Sequence, residues 1–153
     1  MTEISTLKKQ RVLIHKTLSA LGEEQLLTIP PVRRNNIAWN LGHIVTVQQA
    51  LTCGLSGLPL NVAPEYMKCY FRDTSPADWT SQPNVPKLLE ELMALPDITE
   101  ADYTAGKYAN FQTYTTVTGV YLGSVEEAMG FNNFHEGLHF GVMLSILKEL
   151  AAS

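Results

Sequence analysis

The stretch SVEEAMGFNNFHEGLHFGVMLSILKEL, residues 124–150, decides how the rest of the chain is read. Ser124 with Glu126 and Glu127 opens a helix, because its hydroxyl can accept from the orphan amides of a first turn and acidic side chains suit the positive helix end. Beyond that start, Ala128, Phe131, Asn132, Leu138, Val142, Ile146 and Leu150 stand at helical spacings from His135, so they form one predicted core-facing stripe. His135 and His139 fall in the middle of it. Four residues apart, they lie about 40° from each other around the helix axis and one turn along it, so the pair can chelate one ion. Imidazoles in an apolar stripe are costly to desolvate unless something satisfies them.

Three further helices can be read outward from this one. Over residues 3–21, Ile4, Leu7, Ile14, Leu18 and Leu21 make one buried stripe, stopped by Gly22 and then Pro30-Pro31. Asn35-Asn36 can cap a second helix, which runs to about Gly54 with Ile37, Leu41, Ile44, Leu51 and Leu55 as its stripe. Pro86 suits the first turn of a third, carrying Leu88, Leu89, Leu92, Met93 and Leu95. Pro96 lacks a backbone donor, so a kink or split is expected there, with a second segment from Thr99 to about Ala105. Residues 56–85 are punctuated by glycine and proline and read as irregular. Residues 110–123 favour extended structure but have no second such run to pair with, which suggests a structured loop or one short hairpin. Four helices in 153 residues imply an all-α fold, an up-down four-helix bundle with long connecting loops, as a single domain over 1–153.

Composition narrows the function. A net charge of −4 and the lack of clustered Lys and Arg beyond Arg33-Arg34 argue against nucleic acid. No apolar run approaches the ~18 residues of a membrane span, and the first residues do not read as a signal peptide. Cys53 and Cys69 stand sixteen positions apart with no CxxC, which suggests free thiols and a cytoplasmic location.

His43, in mid-helix, shares a face with Asn36, Asn40, Val47, Ala50 and Gly54, beside the main apolar stripe. A bundle can aim it at His135 and His139. Three imidazoles from facing helices form the open three-ligand site used for reactive divalent metals. The alternative for His43 is a core histidine bonded to a neighbour. His15 has no partner in sequence and is read as packing, while Cys53 is a weak further ligand candidate. His135-Glu136-Gly137-Leu138-His139 also spells HExxH, in which the Glu of a zinc protease activates water. Here Val142 and Ser145 stand where the extended protease motif needs Gly and His, and little chain follows His139 to supply a further ligand. The peptidase reading is therefore rejected, and Glu136 is expected to be solvated or to support the ligands from behind.

The run Asn35-Asn36-Ile37-Ala38-Trp39-Asn40-Leu41-Gly42-His43-Ile44 resembles the second-helix motif of the DinB-like (YfiT-type) superfamily. His135-xxx-His139-x-Gly141, followed by an apolar helix, resembles that family's C-terminal motif. The resemblance covers nearly the whole chain. It implies a four-helix bundle with a three-histidine site at His43, His135 and His139, a divalent ion (nickel or zinc), and a homodimer. It also implies chemistry on a small molecule: transfer or isomerisation with a low-molecular-weight thiol, or metal-dependent hydrolysis. The family name does not imply contact with DNA. Pro96 and the long segment from Gly106 to Gly123 depart from the family pattern.

Two functions remain in view. One is an enzyme, a thiol S-transferase before a hydrolase, with Asn36, Asn40, Asn132, Asn133, Tyr66 or Tyr114 as candidate pocket groups; for each asparagine the competing role is a helix cap or a satisfied core amide. The other is a non-catalytic metal-binding or dimerisation module. Access separates them, because an enzyme needs an open coordination position facing a pocket and a structural site is closed.

Overall fold

The computed structural model describes residues 2–152. Its helices are α1 (Thr2–Leu18), α2 (Glu23–Leu27), α3 (Ile37–Thr52), α4 (Tyr66–Tyr70), α5 (Val85–Thr104) and α6 (Val125–Ala151). Strands β1 (Tyr114–Thr115) and β2 (Tyr121–Leu122) pair antiparallel, Tyr114 opposite Leu122, as the short hairpin that the extended run allowed. The segment read as irregular, 56–85, holds α4 and a single turn of 3-10 helix, Pro76–Asp78, and another such turn, Gly54–Ser56, runs into its start. Capping side chains start three of the long helices, Asn36 and Ser124 as expected and Asn84 just ahead of the expected Pro86. Asn36 accepts from the Trp39 amide (2.8 Å), Asn84 from that of Lys87 (3.0 Å) and Ser124 from that of Glu127 (3.3 Å).

The four long helices form the bundle, with α1 and α3 on one diagonal and α5 and α6 on the other, so each helix of one pair packs on both of the other. Side-chain contacts fix the directions. Lys8 reaches Asp97 and Glu100 while Arg11 reaches the Leu92 carbonyl, so α1 and α5 are antiparallel. Asn40 meets His139 while Leu51 packs with Ala128, so α3 and α6 are antiparallel. Ile4 packs with Val125 and Met129, whereas Arg11 pairs with Glu136 further along, so α1 and α6 are parallel. In chain order the long helices thus run up, down, down, up. Simple alternation holds at the first and last connections but not at the middle one. Consecutive parallel helices need a connection that returns along the bundle, about 24 Å for a sixteen-residue helix such as α3. That return is what residues 53–84 provide.

Two expectations about the core need correction. Pro96 neither splits nor ends its helix, because α5 is continuous from Val85 to Thr104. The carbonyl that a residue-96 amide would have engaged is that of Leu92, and Arg11 Nη1 donates to it at 3.0 Å instead. The buried stripe of α6 is also displaced from the predicted one. It runs through Val125, Ala128, Met129, Asn132, Glu136, Met143 and Ile146, while Leu138 is 54% exposed. Glu136 is fully buried and not solvated: Arg11, equally buried, donates from Nη2 to Oε1 (2.7 Å) and from Nε to Oε2 (3.1 Å). Asn132 Nδ2 adds a third bond to this carboxylate at 2.8 Å. A charge can occupy the core position because its partner rises from α1 to meet it.

Candidate metal centre

Helix α3 runs through the interior, and apart from Val47 and Ala50 all of its residues are buried. His43 lies on the face that carries those two. Its ring stacks on Trp39, centroids 4.7 Å apart and planes 14° from parallel. Its Nδ1 sits 2.6 Å from the Tyr70 carbonyl at the end of α4. A carbonyl only accepts, so Nδ1 carries the proton and Nε2 presents its lone pair. Gly42 makes this arrangement possible: a Cβ there would lie 2.5 Å from the Tyr70 ring. Only a residue without a side chain lets α4 come this close to α3.

On α6, His139 Nδ1 lies 2.8 Å from Asn40 Oδ1. Asn40 Nδ2 donates to the Asn36 carbonyl at 2.7 Å, which orients the amide and leaves Oδ1 as the acceptor. Nδ1 of His139 is therefore the donor, and Nε2 presents its lone pair. His135 is different, since its Nδ1 is buried with no hydrogen-bond partner among the described residues. The three rings converge, with centroid separations of 4.5 Å (His43–His139 and His135–His139) and 5.1 Å (His43–His135). One ring nitrogen from each lies within 4.8 Å of the others, and among the described residues this is the group placed to hold a metal ion.

The electrostatics suit a cation. Burial pushes all three histidines below the ordinary imidazole value near 6.5, His135 to about 4 and His139 to about 3; for these two, repulsion from neighbouring rings adds to the desolvation, while the Tyr70 carbonyl partly offsets it at His43. The rings are thus neutral at pH 7, the form that binds a metal. Two of them have Nδ1 donating to an oxygen behind the ring, as histidine ligands commonly do. A buried, unpaired nitrogen on the third is a polar group that a bound ion can satisfy. The donor set, three neutral imidazoles, fits a borderline ion such as zinc or nickel.

A cavity of about 420 Å³ opens beside the cluster and reaches His43 and His135. Val47, Leu51 and Phe131 line its depth, and Phe134, Leu138 and Tyr114 stand toward its mouth. The other candidates from sequence lie elsewhere. Asn36 is the α3 cap and also donates to the Leu27 carbonyl (2.8 Å). Asn132 binds Glu136, and Asn133 donates to the Glu3 carbonyl (2.9 Å), so both face α1. Tyr66 is buried in the main core against Tyr70. Cys53 is buried away from the histidines near Tyr108 and Asn61, and both cysteines are free thiols. Among the asparagines, Asn40 serves the site by holding His139, a candidate ligand. The Tyr70 carbonyl could not have been read from sequence, because a backbone oxygen carries no residue signal. The need for glycine at Gly42 beside His43 could.

A sequence profile described as the DinB superfamily matches residues 6–143. No curated protein matches the chain. A profile match over this span places the chain in the DinB superfamily.

Proposed function

We propose that this member of the DinB superfamily is a divalent-metal-dependent enzyme acting on a small molecule, with His43, His135 and His139 as its protein ligands and nickel or zinc as the ion. The observation that carries an enzymatic reading over a structural one is the cavity at His43 and His135. An ion whose only task was to tie α3 to α6 would need no such opening. When bound, the ion supplies Lewis acidity that lowers the pKa of a thiol or water reaching it. Transfer of a low-molecular-weight thiol to an electrophile is favoured over hydrolysis, because no carboxylate lines the cavity among the described residues. Glu136, the residue that would serve as base in an HExxH hydrolase, is held in a buried pair by Arg11 of α1. The protein's own part is to keep three imidazoles neutral, to fix His43 and His139 through Tyr70 and Asn40, and to exclude water with Val47, Leu51 and Phe131.

The test begins with metal analysis of untagged protein. One ion per chain is expected, lost in His43→Ala. The loaded protein is then screened with thiols of several sizes against model electrophiles, and thiol consumption that disappears with chelator is expected. Protein that holds no stoichiometric ion overturns the metal reading. Protein that holds its ion but consumes none of the thiols overturns the transferase reading.

A further inference from the structure

The cavity beside the histidines carries one fixed charge, and it is positive. Of its described lining residues only Arg72 is ionised at neutral pH, in a protein whose net charge is −4. The placement of Arg72 is built. It stands two residues beyond Tyr70, whose carbonyl engages His43, and two residues span at most about 7 Å. On its other side, the Asp73 carbonyl accepts from Arg34 Nη2 (2.9 Å), and Thr74 Oγ1 accepts from Trp39 Nε1 (3.0 Å). Trp39 is the residue stacked on His43. The 70–74 loop is thus pinned at three points, two of them on or beside the candidate ligands. Arg72 spends little of its own capacity on the protein. Its Nε lies 3.3 Å from Asp73 Oδ2, with side chains 58% and 84% exposed, and such a pair is weak in water. The two Nη groups have no partner among the described residues.

We infer that the cavity takes an organic anion, a largely apolar molecule bearing one carboxylate. The apolar body packs on Leu51, Phe131, Phe134 and Leu138, and the carboxylate meets the planar guanidinium of Arg72, whose fork matches it in geometry. With the anionic end held at Arg72, the opposite end is left to the histidine cluster. The placement of the reacting end rests on the metal-centre reading above, whereas the anion contact does not involve the ion.

Three probes of one shape separate charge from size: 4-phenylbutyrate, 4-phenylbutanamide and 4-phenylbutylamine, each titrated by calorimetry into zinc-loaded and metal-free protein. The acid should bind about three- to fivefold more tightly than the amide in metal-free protein, the scale of a partly exposed ion pair, and the amine more weakly than either. Arg72→Gln should bring acid and amide to parity there and lower the preference by the same factor in the loaded protein, any remainder being direct contact with zinc. Lys87→Gln, on α5 away from the cavity, should change nothing. An unchanged acid preference in Arg72→Gln, or failure of all three probes to bind wild-type protein, overturns the inference. Failure to hold zinc at one ion per chain overturns the metal reading separately, and the metal-free titrations still decide this one.

Discussion

Replacing Arg11 by methionine tests the account of the core most directly. Methionine keeps much of the apolar stem and removes the guanidinium. Two groups then lose their partner in a site with no access to water. Glu136 loses two charge-assisted bonds from Arg11 and keeps the amide of Asn132, with Gln10 Nε2 at 3.4 Å. Breaking a buried pair by removing one member costs about 3–5 kcal/mol, because the other charge stays uncompensated. The Leu92 carbonyl also loses its donor, and Pro96 has no N–H to replace it. A buried acceptor without a partner costs about 1–3 kcal/mol. Arg11→Met should therefore lose at least about 4 kcal/mol, a large part of the 5–15 kcal/mol typical of a domain.

Further variants divide that loss. Arg11→Met with Glu136→Met removes both charges but leaves two buried groups without partners, the Leu92 carbonyl and Asn132 Nδ2, so stability should recover only in part, with about 1–3 kcal/mol still lost at each. Adding Pro96→Ala supplies an amide one turn beyond Leu92 and should recover the carbonyl's share of the remainder, leaving that of Asn132. Urea unfolding of the wild type and the single, double and triple variants measures each step, provided the m-value holds constant. A loss below about 1 kcal/mol for Arg11→Met would refute the reasoning, as would a double variant no more stable than the single. If the triple variant gains nothing over the double, Arg11 does not stand in for the missing proline amide.

The other expectations concern the site. His139→Ala should abolish most of the stabilisation that metal adds, about 2.7 kcal/mol at a hundred times the dissociation constant; equal melting shifts with and without chelator would show the histidine to be packing alone. Asn40→Ala should keep the helical content yet weaken metal binding by about 10–100-fold, because His139 loses the oxygen that fixes its tautomer; competition titration against a chromophoric chelator measures it, and unchanged affinity denies Asn40 that role. Gly42→Ala forces the Tyr70 ring to move and should cost about 1–3 kcal/mol as well as metal affinity, and a variant with wild-type thermal and metal titrations would show that α4 yields freely. For pH the sign follows from His135 near 4 and His139 near 3, both below the 6.5 of an unfolded chain. Between those values the unfolded chain takes up protons that the folded protein refuses, so metal-free protein should lose stability as pH falls from about 6.5 toward 4. His135→Gln should flatten that slope, and a slope unchanged in this variant would count against the ring's burial.

The long helices and the clustering of His43, His135 and His139 were legible because most of them had a local signal. Asn36, Asn84 and Ser124 mark helix starts through bonds to amides three residues on, and apolar spacing marked the stripe of α1. Errors came where a distant partner altered the value of a residue. Position 11 falls in the α1 stripe between Leu7 and Ile14, yet a guanidinium there looks like a gap until Glu136 is opposite it. The stripe of α6 was misplaced for the same reason, since hydropathy favoured Leu138 over Glu136. Pro96 looked like a break because its compensation comes from α1, some eighty residues earlier in the chain. Leu138, which α6 exposes on the cavity wall, reads as core in sequence because a cavity wall and a core face have the same composition.

These errors share a cause that bears on function. One turn of α6 faces two environments, and the residue order assigns them. His135 and His139 turn toward α3 and the cavity, while Glu136, about 100° around the axis from His135, turns toward α1. An HExxH protease has the same spacing, and there the glutamate acts on the metal's water, so its partner and not its angle decides its role. Here it is drawn into a buried pair with Arg11, and so it is occupied as part of the core. The same five residues that spell a hydrolytic motif therefore divide into two candidate ligands and one structural anchor. The anchor also fixes α6 against α1 and α5, since Arg11 holds Glu136 and Leu92 together. The rotation of α6 that points both histidines at His43 is thus set from its neighbouring face, the one against α1. Loss of that pair should disturb metal binding even though neither residue touches the site.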